Sequence, residues 1–153
     1  GLVPYKRDLA KITNPRGIKG SLGDAISDAD AVIGVSGPGT IATAHVESMA
    51  ERAIVFALAN PIPEIMPEDA KRAGALVVAT GRSDFPNQVN NSLAFPGIFR
   101  GALDRGVRDI TDEMKLRAAR ALAALVKKPT ASSIIPSVMQ KGLVQAIASA
   151  MRK

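Results

Sequence analysis

The residues best suited to chemistry in this sequence are neutral amides between positions 79 and 103. Four of them fall within five positions: Asn87, Gln88, Asn90 and Asn91. Side-chain amides donate and accept hydrogen bonds without carrying charge, so they suit carboxylate, hydroxyl or carboxamide groups. A polar loop has a similar composition. However, the amides lead into an apolar run at Leu93–Phe99, and an unpaired buried polar group costs about 1–3 kcal/mol. A bound small molecule is one partner that would satisfy them.

Short apolar runs and helical segments alternate before the amides. The runs at 31–35, 53–58 and 75–79 predict three strands buried on both faces. Ser21 is predicted to cap a first helix, Thr43 a second through Met49, and Pro67 opens a third that Gly74 closes. This alternation predicts an α/β fold, namely a partial Rossmann-like, doubly wound parallel sheet.

Polar stops follow each predicted strand. Ser36-Gly37, Asn60-Pro61 and Gly81-Arg82-Ser83 lie just past the three runs. Parallel strands end at the same edge of a sheet, and ligands of open α/β sheets bind at that edge. The sequence therefore predicts one binding site there, with the amide-rich stretch leading off the third strand.

The remaining sequence predicts helices. One runs from Phe95 to Leu103, a second from a Thr111 cap to Lys127, and a third from about Ser137 to Met151. The predicted elements divide the chain into three segments. Residues 1–20 form a connection, 21–85 the strand–helix units, and 86–153 the amide-rich segment and C-terminal helices.

Composition excludes several classes of site. The 153 residues contain no cysteine and a single histidine, His45, which is assigned to a helix surface, so disulfides and a zinc site are excluded. The net charge of +6 is the sum of −1 in residues 1–99 and +7 in residues 100–153. The positive segment lacks interleaved aromatics, which argues against nucleic acid. No apolar run reaches the roughly 18 residues of a membrane span, and no signal peptide opens the sequence, so a cytoplasmic protein is expected.

Two strings resemble the bacterial-type malic enzyme family. They are FALANPIPEIMPEDAKRAGALVVATGRSD and GRSDFPNQVNN followed by AFPGIFRGAL, and they lie within the stretch from Ile54 to Leu103 that carries the resemblance. The resemblance implies oxidation and decarboxylation of L-malate to pyruvate with NAD or NADP and Mg²⁺ or Mn²⁺. It covers about the last two-fifths of a typical member, which implies that 1–153 is the C-terminal part of a dinucleotide-binding domain. The missing N-terminal part would be a partner, within a homodimer or other homo-oligomer.

The resemblance also implies roles for single residues. Cofactor contacts fall on Ser36, Gly37, Asn60, Gly81 and Asn90, and substrate contacts on Asn60 and Asn91.

No catalytic or metal-binding residue is expected in this chain. The family's Gly-rich loop, metal carboxylates and acid–base groups would precede Gly1. Tyr5 and Lys6 are assigned to the surface, and Asp84 is expected to pair with Arg82. GVSGPG at 34–39 lacks the register of the dinucleotide fingerprint. Two alternatives remain, another NAD(P)-dependent dehydrogenase and a non-catalytic nucleotide-binding or interaction module.

Overall fold

The computed structural model describes residues 3–152 and contains a parallel three-stranded sheet followed by helices. The strands are β1 (Ala31–Gly34), β2 (Ile54–Ala57) and β3 (Val77–Thr80). The helices are α1 (Pro4–Ile12), α2 (Leu22–Ile26), α3 (Thr43–Glu47), α4 (Pro67–Arg72), α5 (Phe95–Asp104), α6 (Asp112–Ala123) and α7 (Leu143–Ala150), with a 3₁₀ helix at Asn91–Leu93 before α5. The α/β class and the parallel sheet predicted from the sequence are confirmed.

The sheet is covered unevenly. Its order is β1-β2-β3, and one row of register partners runs Ile33, Phe56, Ala79 across one face. Ile33 is 67% exposed and Ala79 is fully buried, so the solvent exposure of this face increases from β3 to β1. The prediction that β1 is buried on both faces is wrong, because the described helices α2, α3 and α4 pack on the opposite face.

The buried apolar residues form two clusters. The sheet cluster joins β2 and β3 to residues of α2, α3 and α4, including Ile26, Val46 and Ala70. The helical cluster joins the 3₁₀ helix, α6 and α7 through residues such as Leu93, Met114 and Ile147. The first cluster shapes the sheet, and the second fixes the C-terminal helices as a unit.

Local signals explain where most of the short helices begin and end. Ser21 accepts the Asp24 amide, and the Asp24 carboxylate accepts the Ser21 amide, so α2 has the predicted cap in reciprocal form. Gly74, at φ +102°, follows α4 as predicted. Thr43 is the first residue of α3 rather than its cap. Instead, the Ala42 amide donates to His45 Nδ1 at 3.1 Å, and this half-buried ring does the capping.

Helix α1 lies within the segment 1–20 that the sequence predicts as a connection. Pro4 occupies its first turn, where a missing amide hydrogen costs nothing. None of its described residues is buried, and Tyr5 is 68% exposed. The connection is therefore helical over part of its length, which the irregular apolar pattern did not predict.

The last two helices are shorter than predicted. Helix α6 ends at Ala123, not Lys127, because the chain tightens into turns in which Leu125 and Val126 donate to carbonyls three residues back. Helix α7 begins at Leu143, not near Ser137. The Ser137 hydroxyl accepts the Met139 amide at 3.2 Å and stabilises a turn there.

Two arginines bind the C-terminal end of α7. Arg105 Nη1 donates to the Ala148 carbonyl at 2.8 Å, and Arg117 Nε donates to the Ala150 carbonyl at 3.1 Å. Cations at a helix C-terminus stabilise its unpaired carbonyls. Part of the positive charge after residue 99 therefore serves the fold itself.

Helix α5 approaches α7 closely at two glycines. A Cβ added at Gly101 would lie 2.5 Å from the Ala148 carbonyl oxygen, and one at Gly97 would lie 2.6 Å from Ile147 Cβ. Neither backbone oxygen nor a fully buried Ile147 can yield without moving a helix. Glycine at these positions therefore sets the separation of the two helices.

Gly101→Ala is expected to destabilise the protein by about 1–3 kcal/mol, because overpacking forces backbone shifts. The free energy of unfolding in urea measures it. Gly23→Ala in α2 is the matched control, since its Cβ would meet its nearest neighbours at 3.5–3.7 Å, an ordinary contact. Equal urea midpoints of unfolding for the two variants would show that the contact between α5 and α7 accommodates an added methyl group.

No helix among the described residues is long and apolar enough to cross a membrane.

Candidate functional site

The carboxyl ends of the three strands lie side by side. The strands end on register partners, Gly34, Ala57 and Thr80. Ser36, Asn60 and Gly81 follow these residues within three positions. The shared edge predicted from the sequence is therefore present, and it brings three of the predicted site residues to one side of the sheet.

The turn after β1 is held by its own polar groups. The hydroxyls of Ser36 and Thr40 are 2.8 Å apart, and Thr40 Oγ1 also donates to the Gly37 carbonyl at 3.0 Å. Space around Gly37 is open, with nothing within 4 Å of an added Cβ. The turn therefore presents an ordered backbone that a flat ligand group can approach closely.

The amide-rich stretch loops out after β3 and returns beside it. Gln88 forms a parallel bridge with the fully buried Thr80, and the Val89 amide donates to the Thr80 carbonyl at 2.8 Å. The Val89 carbonyl oxygen lies 3.8 Å from a Cβ built on Gly81. This return places Asn90, which follows directly, near the end of β3.

Asn87 has a structural role that the sequence did not reveal. Its side chain is almost fully buried, and its Nδ2 donates to the carbonyls of Val78 at 3.0 Å and Ala131 at 2.9 Å. Its Oδ1 accepts the Ile134 amide at 2.9 Å. The amide therefore finds its partners within the protein, where it ties β3 to the loop that precedes α7.

Asn90 and Asn91 differ in how far the fold uses them. Asn90 Oδ1 accepts the Ser92 amide at 2.9 Å and caps the 3₁₀ helix. The exposed Asn91 side chain has no hydrogen-bond partner within residues 3–152, and neither does that of exposed Asn60. Asn91 and Asn60 thus keep both their donor and their acceptor for a ligand.

Arg82 and Asp84 form the pair expected from the sequence. Arg82 Nη2 lies 2.7 Å from Asp84 Oδ2, and Nε lies 2.9 Å from Oδ1. The hydrogen bond from Arg82 lowers the pKa of the Asp84 carboxyl. The guanidinium also lies 5.2 Å from the Phe85 ring centre. Asp84 is therefore a paired loop acid.

Glu64 is the acid whose role the sequence analysis missed. Its side chain is fully buried, and its oxygens accept the Ser36 amide at 2.7 Å and the Ala59 amide at 2.9 Å. In the sequence it counted only as one of several acids without metal-binding spacing. Nothing in the nearby sequence separated it from the other acids, because the amide that it accepts from Ser36 lies 28 residues away.

Burial acts to raise the pKa of the Glu64 carboxyl. Hydrogen bonds from the amides of Ala59 and Ser36 outweigh this effect, and the pKa lies below its ordinary value of 4.5. Glu64 is therefore ionised near neutral pH, and its charge is stabilised by neutral donors.

A cavity of about 300 Å³ lies on the other side of the returning stretch. It is lined by Ser83, Phe85, Gln88 and residues of the 132–138 loop. Ser36, Asn60 and Asn91 do not line it. Ser36 and Asn60 lie instead just past the carboxyl ends of β1 and β2.

The described residues do not form a metal centre. No group of three or more His, Cys, Asp or Glu side chains within residues 3–152 is arranged to hold a metal ion. The neutral amides at the strand ends can instead bind a carboxamide, carboxylate or hydroxyl group, because a side-chain amide offers both a donor and an acceptor.

Parallel strand–helix units with polar turns at their carboxyl edge define this chain as a nucleotide-binding α/β domain. The family described as "Malic enzyme, NAD binding domain" matches residues 2–153. The chain therefore belongs to the malic enzyme family, as part of its NAD-binding domain.

Curated relatives agree with this assignment. The chain is 54% identical over its full length to the bifunctional malic/malolactic enzyme of Bacillus subtilis, covering 38% of that protein. It is 52% identical to the NAD-dependent malic enzyme of Geobacillus stearothermophilus over 97% of the chain and 31% of that protein. The chain thus spans less than two-fifths of these relatives.

Solved structures agree as well. A malic enzyme from Pyrococcus horikoshii superposes with a TM-score of 0.89 at 52% identity, over 97% of this chain and 35% of that one. The NAD-dependent malic enzyme of Thermotoga maritima gives 0.93 at 43% identity, over 99% of this chain and 40% of that one. The predicted Rossmann-like family fold is therefore confirmed.

Proposed function

We propose that the intact protein is an NAD(P)-dependent malic enzyme and that this chain is the C-terminal part of its nucleotide-binding domain. The intact enzyme would oxidise L-malate, pass a hydride to NAD⁺ or NADP⁺, and release carbon dioxide and pyruvate. The observation that carries the proposal is the shared edge of three strands in a chain of this family, where Ser36, Asn60 and Gly81 are brought together.

Each site residue receives a role from its surroundings. The ordered turn at Ser36 and Gly37 offers backbone and hydroxyl contacts to the cofactor, with Gly81 and the free Nδ2 of Asn90 beside the end of β3. Asn60 and Asn91 keep unpaired amides that can bind a carboxylate or hydroxyl of malate, and Asn60 can also reach the nicotinamide. Neutral amides orient both molecules without adding charge to the reacting centre.

The metal and the groups that move protons are assigned to other parts of the intact enzyme. A divalent metal would supply Lewis-acid chemistry, but the described residues offer no cluster that fits one. The contribution of this chain is therefore binding and orientation.

The upstream part of the enzyme is the proposed partner of the uncovered sheet face. Ile33 on the edge strand β1 is 67% exposed, and Val35, directly after the strand, is 79% exposed. Open apolar edges invite pairing, and in doubly wound sheets the second half packs beside the first. A homodimer and a cytoplasmic location stay predictions.

The isolated 153-residue chain is expected to show no malate-dependent reduction of NAD⁺ or NADP⁺, since residues 3–152 form no cluster that fits a metal and no acid–base group is assigned to the chain. The absorbance of the reduced nicotinamide measures this, with the intact protein assayed in parallel. Turnover by the chain alone, above a blank without malate, would contradict the division of roles. Inactivity of both proteins would instead favour a non-catalytic module.

The Bacillus subtilis relative suggests a second candidate activity, since its name describes a malic and malolactic enzyme. Product analysis separates the two in the intact protein. Pyruvate formed with reduced nicotinamide identifies the first, and lactate formed without net reduction identifies the second.

A further inference from the structure

Glu64 is a buried ionised acid that none of the assigned roles uses. We infer that it is a positioning residue, which holds the turns after β1 and β2 at a fixed separation so that Ser36 and Asn60 contact one ligand together. The inference rests on the proposed function for the identity of that ligand, a nicotinamide cofactor with malate.

One carboxylate joins the two turns directly. Oε1 accepts the Ser36 amide at 2.7 Å and the Ser36 hydroxyl at 3.2 Å. Oε2 accepts the amide of Ala59 at 2.9 Å, and Ala59 immediately precedes Asn60. The separation of two predicted site residues on neighbouring strands is therefore set by the width of a single carboxylate group.

The main chain around Glu64 makes a second tie. The Ile41 amide donates to the Glu64 carbonyl at 3.2 Å, and the Gly39 amide donates to the Pro63 carbonyl at 3.4 Å. The turn after β1 is thus fastened at its start by the Glu64 side chain and at its end by the backbone. A change at Glu64 would therefore loosen the start of the turn, where Ser36 lies.

Gly34 shows that the carboxylate occupies a reserved space. A Cβ added there would lie 2.7 Å from Glu64 Cδ and 2.9 Å from Oε1. The end of β1 therefore has no side chain where the acid lies against it. This close contact leaves the carboxyl group no room to move toward the end of β1.

The chemistry at this position requires an anion. Three donors converge on the two oxygens, and among the described residues no cation pairs with them. Glutamine has the same shape, but its NH₂ group would face the amide of either Ser36 or Ala59. The turn after β1 or the turn after β2 would then lose its hydrogen bond to residue 64 and keep an unpaired backbone amide.

The test compares wild type, Glu64→Gln and the exposed control Glu51→Gln in the full-length protein. At temperatures well below melting, Glu64→Gln is expected to raise KM for the nicotinamide cofactor about tenfold and to lower kcat/KM for malate about 10- to 100-fold. Glu51→Gln should match wild type. A merely structural role would reduce the folded fraction, which scales kcat and leaves both KM values unchanged, so that result would overturn the inference.

Hydrogen exchange gives a readout that does not depend on activity. In Glu64→Gln, peptides covering 34–41 and 58–62 are expected to exchange faster, while those covering α6 and α7 stay unchanged. Unchanged exchange at both turns overturns the inference even if the wild type is an active malic enzyme. Faster exchange in a protein that does not oxidise malate overturns the proposed function and leaves the role of Glu64 standing.

If Glu64→Gln does not fold, Glu64→Asp carries the same readouts, because its shorter chain keeps the charge but cannot span both turns.

Discussion

Asn91→Ala in the intact enzyme is expected to lower kcat/KM for malate about 30- to 1,000-fold, with a smaller change in cofactor affinity. The Asn91 side-chain amide is exposed at the start of the 3₁₀ helix and has no hydrogen-bond partner within residues 3–152, so its donor and acceptor are available to the substrate. Losing one directed contact to a reacting substrate costs about 2–4 kcal/mol. Asn91→Asp should be worse, because it sets a negative charge against the carboxylates of malate.

The competing explanation for Asn91 is that it caps a helix. The structure gives that role to Asn90, which accepts the Ser92 amide, and α5 has no side-chain cap. Truncating a cap would cost about 1 kcal/mol of stability and leave kinetics intact. Melting temperature and kcat/KM measured on Asn91→Ala, with Ser92→Ala as the neighbouring control, separate the two. A lower melting temperature with unchanged kcat/KM would remove Asn91 from the site.

Asn87→Ala is expected to destabilise the protein by about 2–4 kcal/mol. It leaves the carbonyls of Val78 and Ala131 and the amide of Ile134 without their partner. An unpaired buried group costs about 1–3 kcal/mol, and water can replace the lost bond at the exposed Ala131, so the total stays below the sum for three buried groups. The loss should be largest where β3 meets the loop before α7. The free energy of unfolding in urea is the measurement.

Two variants separate the causes of that loss. Asn87 has a φ of +57°, which asparagine tolerates better than alanine. Asn87→Gly removes the backbone strain along with the hydrogen bonds, so it should still lose most of the stability. Gln88→Ala in the same stretch removes a side-chain amide that has no hydrogen bond within the described chain. This variant should change the free energy of unfolding little. Equal stability of Asn87→Gly and wild type would show that the three bonds contribute nothing net.

Sequence reasoning succeeded where the cause of a structure lies within a few residues. The Ser21 cap, the Thr111 cap and the glycine after α4 involve partners at most a turn away, and each is observed. The parallel sheet follows from the alternation of apolar runs and helices. The shared edge that brings Ser36, Asn60 and Gly81 together follows from strand direction alone.

Sequence reasoning failed where the interacting residues lie far apart in the sequence. The partners of Asn87 lie 44 and 47 residues away, and Glu64 joins an amide 28 residues upstream to one only five residues away. No local pattern distinguishes such groups from loop amides or surface acids. The exposure of β1 has the same origin, since an apolar run does not reveal whether both faces of its strand are covered.

The separation of the apolar core into a sheet cluster and a helical cluster affects where the molecule opens locally. Their junction near the end of β3 is built from hydrogen bonds through Asn87, and segments with few apolar contacts open locally before cores do. Asn60 lies on the sheet side of this junction, and Asn91 lies beside the helical cluster. A molecule that binds both Asn60 and Asn91 would connect the two clusters and suppress their local opening. Occupancy of the site would therefore stabilise the domain at the junction, where it opens most easily.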